Sequence, residues 1–516
     1  MKDLRRTLLA VSASVLVALA SACAGSATAG DAGAAPKAGD VLRLALSRQL
    51  TNINPHKGGS PDSQGAVIGS IYESLTRISP DFKVTPGLAT AWKTVDDHTW
   101  QFTIRTDARY SDGTALTADD IVWNFQQLLD PNYAGTSGAP LRKYLKSVEK
   151  TDDATLTFRL SQPTLDLPGR LWNIYIVSPA FAKTHKLDTE ALGSGPYKLD
   201  TLDLENGATL SLNPSYAGTG PAFAKVKYTV LASEAQRIAA LKTGEQDIVL
   251  NIAPLSLEQF KDSKTYTTIL GVGPQPLVLA INERKPGTPL ANAQVRQALN
   301  YATDKESIIH GLLKDSVKPL PGQVLFEPFN RENPNLKAYP YDPEKAKSLL
   351  AAAGFGGGIT ISLDVPAGTY VSAENASQAI AAQWAKVGVT LKITTTPFPA
   401  WLQRQYGKDD QASDLVYIMW GSQYPGDTTG NFGPFRSDHI QSHVAAPKFD
   451  ALGDKALTAT DEATKNQYLN EAAQVYFDEA HTIFLYPSPF TAEVSKAVTW
   501  TPKPNRYLYA QEVGRA

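Results

Sequence analysis

The sequence has only one cysteine in 516 residues, and a net charge of −2 shows no excess of either sign. A single cysteine excludes an intramolecular disulfide, so the fold has to be stabilised by packing, for which a chain of this length has enough surface to bury. The near balance of charge disfavours nucleic-acid binding, which needs a basic face. After the N-terminal segment no apolar run approaches the length of a membrane span. We therefore expect a globular chain of two or three domains.

Catalytic signatures are also missing from the sequence. It contains no Gly-x-Ser-x-Gly elbow, no phosphate-binding loop and no His-Glu-x-x-His motif. His439 and His443 are four positions apart, but their stretch is typical of a loop and has no cysteine or glutamate to complete a metal site. We therefore expect no catalytic residues, no cofactor and no bound metal, and a secreted enzyme remains only as a third alternative.

The lone cysteine, Cys23, stands at the end of an N-terminal export signal. Lys2, Arg5 and Arg6 precede an apolar run over residues 8–20, and small residues follow it. Small residues directly before a cysteine resemble the lipobox of bacterial lipoproteins, in which that cysteine is acylated and begins the mature protein. The resemblance implies a signal peptide at 1–22, then a lipidated Cys23. A signal peptide with an incidental cysteine is the other interpretation.

The segment from Cys23 to residue 39 is rich in alanine and glycine and has too few large apolar residues to fold. It is therefore predicted to be a flexible tether. Two or more acyl chains hold a protein stably at a bilayer. We expect the mature protein to be lipid-anchored at the outer face of the cytoplasmic membrane, in the extracytoplasmic or periplasmic space.

Strand and helix patterns alternate along the rest of the chain. Residues 41–46, 99–105 and 155–160 alternate apolar and polar side chains, as half-buried strands do. Thr117 followed by Asp120 predicts the start of one helix, and Asp342-Pro343-Glu344 predicts the start of another with Asp342 as its N-cap. This alternation of strands and helices predicts a fold of mixed α/β layers.

Several short blocks follow one another in a particular order over most of the chain. They are Leu88–Trp92, Phe102–Arg105, Tyr110–Thr114 with Thr117–Asp120, Gly193–Tyr197, Val295–Lys305 and Tyr341–Phe355. In this order and spacing they resemble the extracytoplasmic solute-binding proteins of peptide- and nickel-type ABC importers, family 5 of the solute-binding proteins. Each block also has a structural explanation, for example Asp112-Gly113 as a turn, or the helix of Arg296 as a core helix with a surface ion pair. We expect the blocks to define the scaffold and not to contact the solute.

The resemblance implies an α/β fold of the periplasmic-binding-protein type (type II, large cluster with an extra subdomain), with mixed sheets flanked by helices and a hinge of two crossings. Lobe I would comprise residues 40–271 plus 487–516, with a subdomain at about 83–162, and lobe II residues 272–486. The lobes would close around a solute because it binds the closed form better. We expect a monomer that delivers the solute to the permease subunits of an ABC importer.

The resemblance also places the solute against the strand end that contains Trp420, which matches a tryptophan of the family. The family's peptide binders have an aspartate three residues later that holds the ligand's ammonium group, and Gln423 stands there in this chain. An amide does not neutralise an enclosed charge, so Gln423 disfavours a peptide with a free amino terminus unless Asp427 or Asp62 replaces the missing carboxylate. A one-residue shift of the alignment would remove this argument.

The same alignment places further candidates in loops after strands and near the second hinge crossing. The predicted ligand-binding set is Ser60, Pro61, Asp62, Asn251, Phe398, Tyr417, Trp420, Gln423, Tyr424 and Tyr486. Its aromatic members would provide a large, stiff contact surface, although each fits a position in the core equally well. The first candidate ligand is an oligopeptide or a peptide-like solute. The alternative is an oligosaccharide, a metal chelate or a small organic molecule, which Gln423 favours.

Overall fold

The computed structural model describes residues 40–57, 63–133, 135, 137–405, 408, 412–421, 424–425, 427, 432–439 and 442–516. The predicted signal peptide, Cys23 and the tether lie outside the described residues. Four members of the predicted ligand-binding set lie outside them too, namely Ser60, Pro61, Asp62 and Gln423.

Strands and helices alternate over the described chain, as the sequence predicts. The strands are β1 Val41–Leu46, β2 Thr76–Ile78, β3 Val84–Pro86, β4 Ala89–Asp96, β5 Thr99–Ile104, β6 Leu145–Asp152, β7 Thr155–Leu160, β8 Tyr197–Asp203, β9 Gly207–Leu212, β10 Lys225–Val230, β11 Ile248–Leu250, β12 Tyr266–Ile281, β13 Ile359–Pro366, β14 Val389–Thr396, β15 Leu415–Met419, β16 Thr482–Ser495, β17 Val498–Thr499 and β18 Gly514–Arg515. The helices are α1 Gln64–Ile71, α2 Ala118–Leu129, α3 Gly138–Leu141, α4 Leu167–Arg170, α5 Pro179–Ala182, α6 Glu234–Lys242, α7 Pro254–Leu257, α8 Ala293–Ala302, α9 Lys305–Leu313, α10 Pro343–Ala352, α11 Ala373–Ala385, α12 Phe398–Gln405, α13 Pro447–Leu457 and α14 Glu462–Asp478. Short 3₁₀ helices lie at Glu258–Phe260, Pro289–Ala291, Gly433–Phe435 and Ala510–Glu512.

Side chains at the helix starts confirm the predicted caps. The Thr117 hydroxyl accepts from the Asp120 amide at 3.3 Å, and the Asp120 carboxylate accepts from the Thr117 amide at 3.0 Å. This reciprocal pair satisfies two amides that α2 leaves without an intrahelical partner. Asp342 caps α10 by a single bond, in which its carboxylate accepts from the Lys345 amide at 2.9 Å. These helices therefore begin where local sequence predicts.

A mixed sheet, ten-stranded over the described residues, runs through the whole molecule in the order β14-β13-β15-β12-β16-β11-β1-β10-β9-β8. We call β11, β1, β10, β9 and β8 its first half and β15, β13 and β14 its second half. Within the first half β1 runs parallel to β10 and β11, and within the second half β13 runs parallel to β14 and β15. The two long strands β12 and β16 lie between the halves, and we call this pair the crossing ribbon.

The crossing ribbon is interrupted near its middle. Residues from Tyr266 to Val272 pair with β16 beside the first half, and residues from Pro276 to Ala280 pair with it beside the second half. The register shifts between Val272 and Pro276. Because β11 contacts only the first part of the ribbon and β15 only the second, the chain passes from one half to the other twice.

A separate four-stranded sheet, in the order β4-β5-β7-β6, lies within the region predicted to form a subdomain. Its core is aromatic, with the Phe102 and Phe158 ring centroids 4.8 Å apart and Phe125 of α2 5.1 Å from Phe158. Edge-to-face and tilted ring pairs of this kind add to the stabilisation from burial.

Each half of the large sheet has its own buried core, and a third cluster joins the two halves. In that cluster Phe82, at the turn between β2 and β3, lies edge-on to Phe329 with ring centroids 5.3 Å apart. Tyr424, which follows the second half, is buried in the same cluster. The two halves are therefore in direct contact in this structure.

The ion pair of Arg296 is buried, so the prediction that it lies on the surface is wrong. Arg296 is only 4% exposed, and its guanidinium lies 3.6 Å from the buried carboxylate of Glu283. The guanidinium also donates to the main-chain carbonyls of Leu290, Ala291 and Glu479. The arginine is buried because helix α8 packs against β16. Its side chain connects α8 to the main chain at Leu290 and Glu479.

Candidate functional site

Side chains from both halves converge beyond the carboxyl ends of the parallel strands. Arg48 follows β1 and Asn251 follows β11, while Tyr370, Phe398 and Trp420 follow β13, β14 and β15. Ligands of open α/β sheets bind in the crevice outside these strand ends. We therefore take this crevice as the candidate solute site.

Arg48 connects the two halves at this crevice. Its guanidinium donates from Nη2 to the Thr369 carbonyl at 3.3 Å, and its Cζ lies 5.5 Å from the centre of the Phe398 ring. Phe398 in turn stacks on Trp401, with centroids 5.6 Å apart and planes 19° apart. The predicted site residue Phe398 thus lies at the junction, with one face toward a cation of the other half.

Asn251 has a strained backbone that turns its side chain toward the C-terminal segment. Its φ is 59°, in the left-handed region that asparagine tolerates better than most residues. Its Nδ2 donates to the Ser47 hydroxyl at 3.2 Å, and its Oδ1 accepts from Arg506 at 2.8 Å. Arg506 also has a positive φ, of 71°, and points Nη1 at the Met419 sulfur at 3.3 Å. Strained residues concentrate at functional sites, and these two connect the ends of β1, β11 and β15.

Tyr417 and Tyr486 lie behind this crevice and not in it. Both side chains are completely buried, and their hydroxyl oxygens are 2.8 Å apart. Tyr370 lies between them and the crevice, stacked on Tyr417 at a centroid distance of 6.2 Å. Burial raises the pKa of Tyr370 to about 12, against opposing effects of the Met419 backbone, Arg48 and Arg506. The structure thus assigns the two predicted tyrosines to the supporting core, and their contact with solute stays a prediction.

Trp420 is half-buried at the end of β15, where the second half meets the crossing ribbon. Its amide donates to the Pro276 carbonyl at 3.4 Å, and its ring meets His439 edge-on at 5.8 Å. Burial lowers the pKa of His439, with a further lowering effect from Lys143. Trp420 therefore has a fixed backbone position beside a neutral ring.

Tyr424 contacts the opposite half of the molecule. Its hydroxyl donates to Asp166 Oδ2 at 3.2 Å, and its ring packs on Gly169 of α4. Burial raises the pKa of Asp166, but the charges of Arg170 and Lys465 and hydrogen bonds from Arg170 and Thr164 lower it more, so the carboxylate stays ionised. Tyr424 therefore connects the two halves through its hydrogen bond to the buried carboxylate of Asp166.

The structure places Asn251, Phe398 and Trp420 after strand ends at this crevice, and their contact with a solute stays a prediction. It adds Arg48, Tyr370 and Arg506, which sequence reasoning missed. Arg48 comes soon after the strand predicted at 41–46, so the strand-end rule was a signal that would have found it. Arg506 lies in a C-terminal stretch with no strand pattern, and no signal pointed to it.

Two further features bear on the kind of protein. No helix among the described residues combines the length and the apolar character that crossing a membrane requires. The described part of the chain also brings together no group of three or more His, Cys, Asp or Glu side chains suited to hold a metal ion.

Comparison with known proteins places the chain in a family. The sequence model of "Bacterial extracellular solute-binding proteins, family 5 Middle" matches residues 83–442. The dipeptide-binding protein of Escherichia coli is 28% identical over 509 residues, which cover 89% of this chain and 93% of that protein.

Solved structures share the fold at lower identity. NikZ from Campylobacter jejuni, in complex with Ni(L-His), superposes with a TM-score of 0.81 at 22% identity and covers 93% of this chain and all (100%) of its own. MoaA from A. tumefaciens R10, in complex with mannopinic acid, gives a TM-score of 0.79 at 22% identity with the same coverage of 93% and 100%. The α/β fold of mixed sheets flanked by helices is thus that of the periplasmic binding proteins, and the chain belongs to family 5 of the bacterial extracellular solute-binding proteins.

Proposed function

We propose that this chain captures a solute in the crevice between two lobes and delivers it, unaltered, to the permease subunits of an ABC importer. The observation that carries the proposal is the interrupted crossing ribbon, which joins two half-sheets whose strand ends face one crevice. A two-crossing connection permits hinge closure, as in other periplasmic binding proteins. Lobe I would comprise residues 40–271 plus 487–516, with the subdomain at about 83–162, and lobe II residues 272–486. The register shift between Val272 and Pro276 supports these boundaries.

An oligopeptide or peptide-like solute is the first candidate ligand. The support for it is the similarity of the chain to the dipeptide-binding protein of Escherichia coli. A non-peptide solute is the alternative, because structural relatives hold a nickel–histidine complex and mannopinic acid. Gln423 at the position of the ammonium-binding aspartate favours this alternative. Native mass spectrometry of protein purified from its own host would identify a retained solute.

Solution scattering tests the proposed closure. We expect the radius of gyration to fall when the stripped protein is given its retained solute, because the solute binds the closed form better. Identical curves with and without a bound solute would contradict a closing receptor. Chemical conversion of the solute by the pure protein would contradict a role limited to binding.

Replacement of Trp420 by alanine is expected to weaken solute binding several-fold, by about 1 kcal/mol, through loss of aromatic contact area. Its half-buried ring and fixed amide make it the best-placed aromatic residue after β15. Calorimetric titration of the retained solute measures the effect, and Trp420→Phe is the matched control that should keep most of the affinity. An unchanged affinity in Trp420→Ala would remove this residue from the site.

Replacement of Cys23 by serine is expected to release the protein from membranes. The reason is that serine has no thiol to acylate, and membrane anchoring by lipid depends on the acyl chains. Fractionation of cells producing each form, with detection by antibody, measures the distribution. Persistent membrane association of Cys23→Ser would show that acylation is not the anchor.

A further inference from the structure

We infer that the solute carries a carboxylate group, and that Arg48 binds it together with Arg506 and the Tyr370 hydroxyl. The inference rests on the proposed capture of a solute in the crevice and names the chemistry that the crevice selects. It concerns the three residues that sequence reasoning missed.

Arg48 has donor capacity that the protein itself leaves largely unused. A guanidinium has five N–H donors, and within the described part of the chain Arg48 makes one hydrogen bond, to the Thr369 carbonyl at 3.3 Å. Among the described residues no carboxylate pairs with it. Arg237 shows how a structural arginine is satisfied in this chain, since it donates to the carbonyls of Leu231, Ala232, Leu250 and Asn251. Arg48 is half-buried, and the described residues provide it with no comparable group of carbonyl acceptors. Binding an anion would offset the cost of partly removing its charge from water.

Arg506 brings a second positive charge to the same place. Its guanidinium contacts Asn251 Oδ1 at 2.8 Å and the Met419 sulfur at 3.3 Å. Both Arg48 and Arg506 lower the pKa of the Tyr370 hydroxyl, although burial raises it overall. Arg48, after β1, and Arg506, in the C-terminal segment, therefore both act electrostatically on one hydroxyl beside the second half.

This arrangement fits a carboxylate better than an ammonium group or a neutral amide. The planar guanidinium fork matches the two oxygens of a carboxylate, and such charge-assisted bonds are about twice as strong as neutral ones. An ammonium group would be repelled by two arginines. The same carboxylate would contact residues of both halves, so it would favour the closed form.

Blocked dipeptides separate the two charges of a peptide and provide the test. The probes are N-acetyl-Met-Leu (carboxylate only), Met-Leu-amide (ammonium only) and N-acetyl-Met-Leu-amide (neither), together with mannopinic acid. We expect calorimetry to show at least fivefold tighter binding of the two acids than of either amide. Arg48→Gln should abolish this preference, and Arg48→Lys should keep part of it, because lysine retains the charge without the fork.

Arg109→Gln is the control, since Arg109 is exposed and donates to the Gly113 carbonyl in the region of the four-stranded sheet. It should bind every probe as the natural chain does. Equal binding of acids and amides by the natural chain, binding of amides alone, or binding of none of the probes would overturn the inference. The retained solute tests the proposed function separately. If the protein closes around a solute that has no anionic group, the carboxylate inference is wrong and the receptor function stands.

Discussion

Replacing Gly169 by alanine is expected to weaken solute binding about 5- to 150-fold while each half of the protein stays folded. A Cβ atom at this position would lie 2.5 Å from Cδ2 and 3.0 Å from Cε2 of the Tyr424 ring. Gly169 precedes the crossing ribbon and Tyr424 follows the second half of the sheet. The clash therefore arises only when the two halves come together.

The Tyr424 ring has little freedom to move away from an added methyl group. It is 7% exposed, and its hydroxyl is bound to Asp166. Asp166 is itself fixed by Arg170 at 2.7 Å and by Thr164 at 2.6 Å. Overfilling a packed contact costs about 1–3 kcal/mol, which corresponds to the expected loss of affinity if the cost falls on the closed form alone.

Calorimetric titration of the retained solute and solution scattering measure this effect. Gly311→Ala is the matched control, because Gly311 also lies in a helix and a Cβ there would meet nothing within 4 Å. Alanine is the better helix former at both positions, so neither variant should lose stability. The double variant Gly169→Ala, Tyr424→Ala should regain part of the lost affinity. Natural affinity in Gly169→Ala would show that this contact is not part of the solute-bound form.

Local sequence predicts the strands at 41–46, 99–105 and 155–160 and the helix that begins after Thr117, whereas the candidate site residues come from the resemblance to the family. The capping residues Thr117 and Asp342 act as predicted, because a cap depends on neighbours three residues away. Asn251 and Phe398 reach the crevice because a loop that follows a parallel strand must leave at the ligand edge of the sheet. The predicted ligand contacts of these residues still await measurement.

What local sequence did not determine depends on contacts between distant residues. Tyr417 and Tyr486 are 69 positions apart, and only the tertiary fold shows that their hydroxyls pair in the core. The contact of Asp166 with Tyr424 spans 258 positions and depends on how the two halves meet. Arg506 reaches Asn251 across 255 positions from a segment without regular structure. Such pairs have no periodicity or spacing that a single sequence could reveal.

Replacing Arg296 by methionine is expected to lower the free energy of unfolding by about 3–5 kcal/mol, the usual cost of removing one partner of a buried ion pair. The guanidinium is held by Glu283 at 3.6 Å and by the Glu479 carbonyl at 2.6 Å. Methionine fills most of the same volume but offers no donor. The Glu283 carboxylate would remain buried, with His481 Nδ1 at 2.6 Å as its nearest polar partner.

Differential scanning calorimetry is the suitable measurement, because a chain of this size need not unfold in one step and each transition has to be assigned. Arg159→Met is the control, since its half-exposed guanidinium lies 3.8 Å from Glu149 and such surface pairs contribute about 0–1 kcal/mol. The double variant Arg296→Met, Glu283→Gln should be more stable than Arg296→Met alone, because it removes the buried charge that has lost its arginine partner. If Arg296→Met unfolds like the natural chain, the buried pair contributes no net stability, and the helix of Arg296 is held by its apolar packing alone.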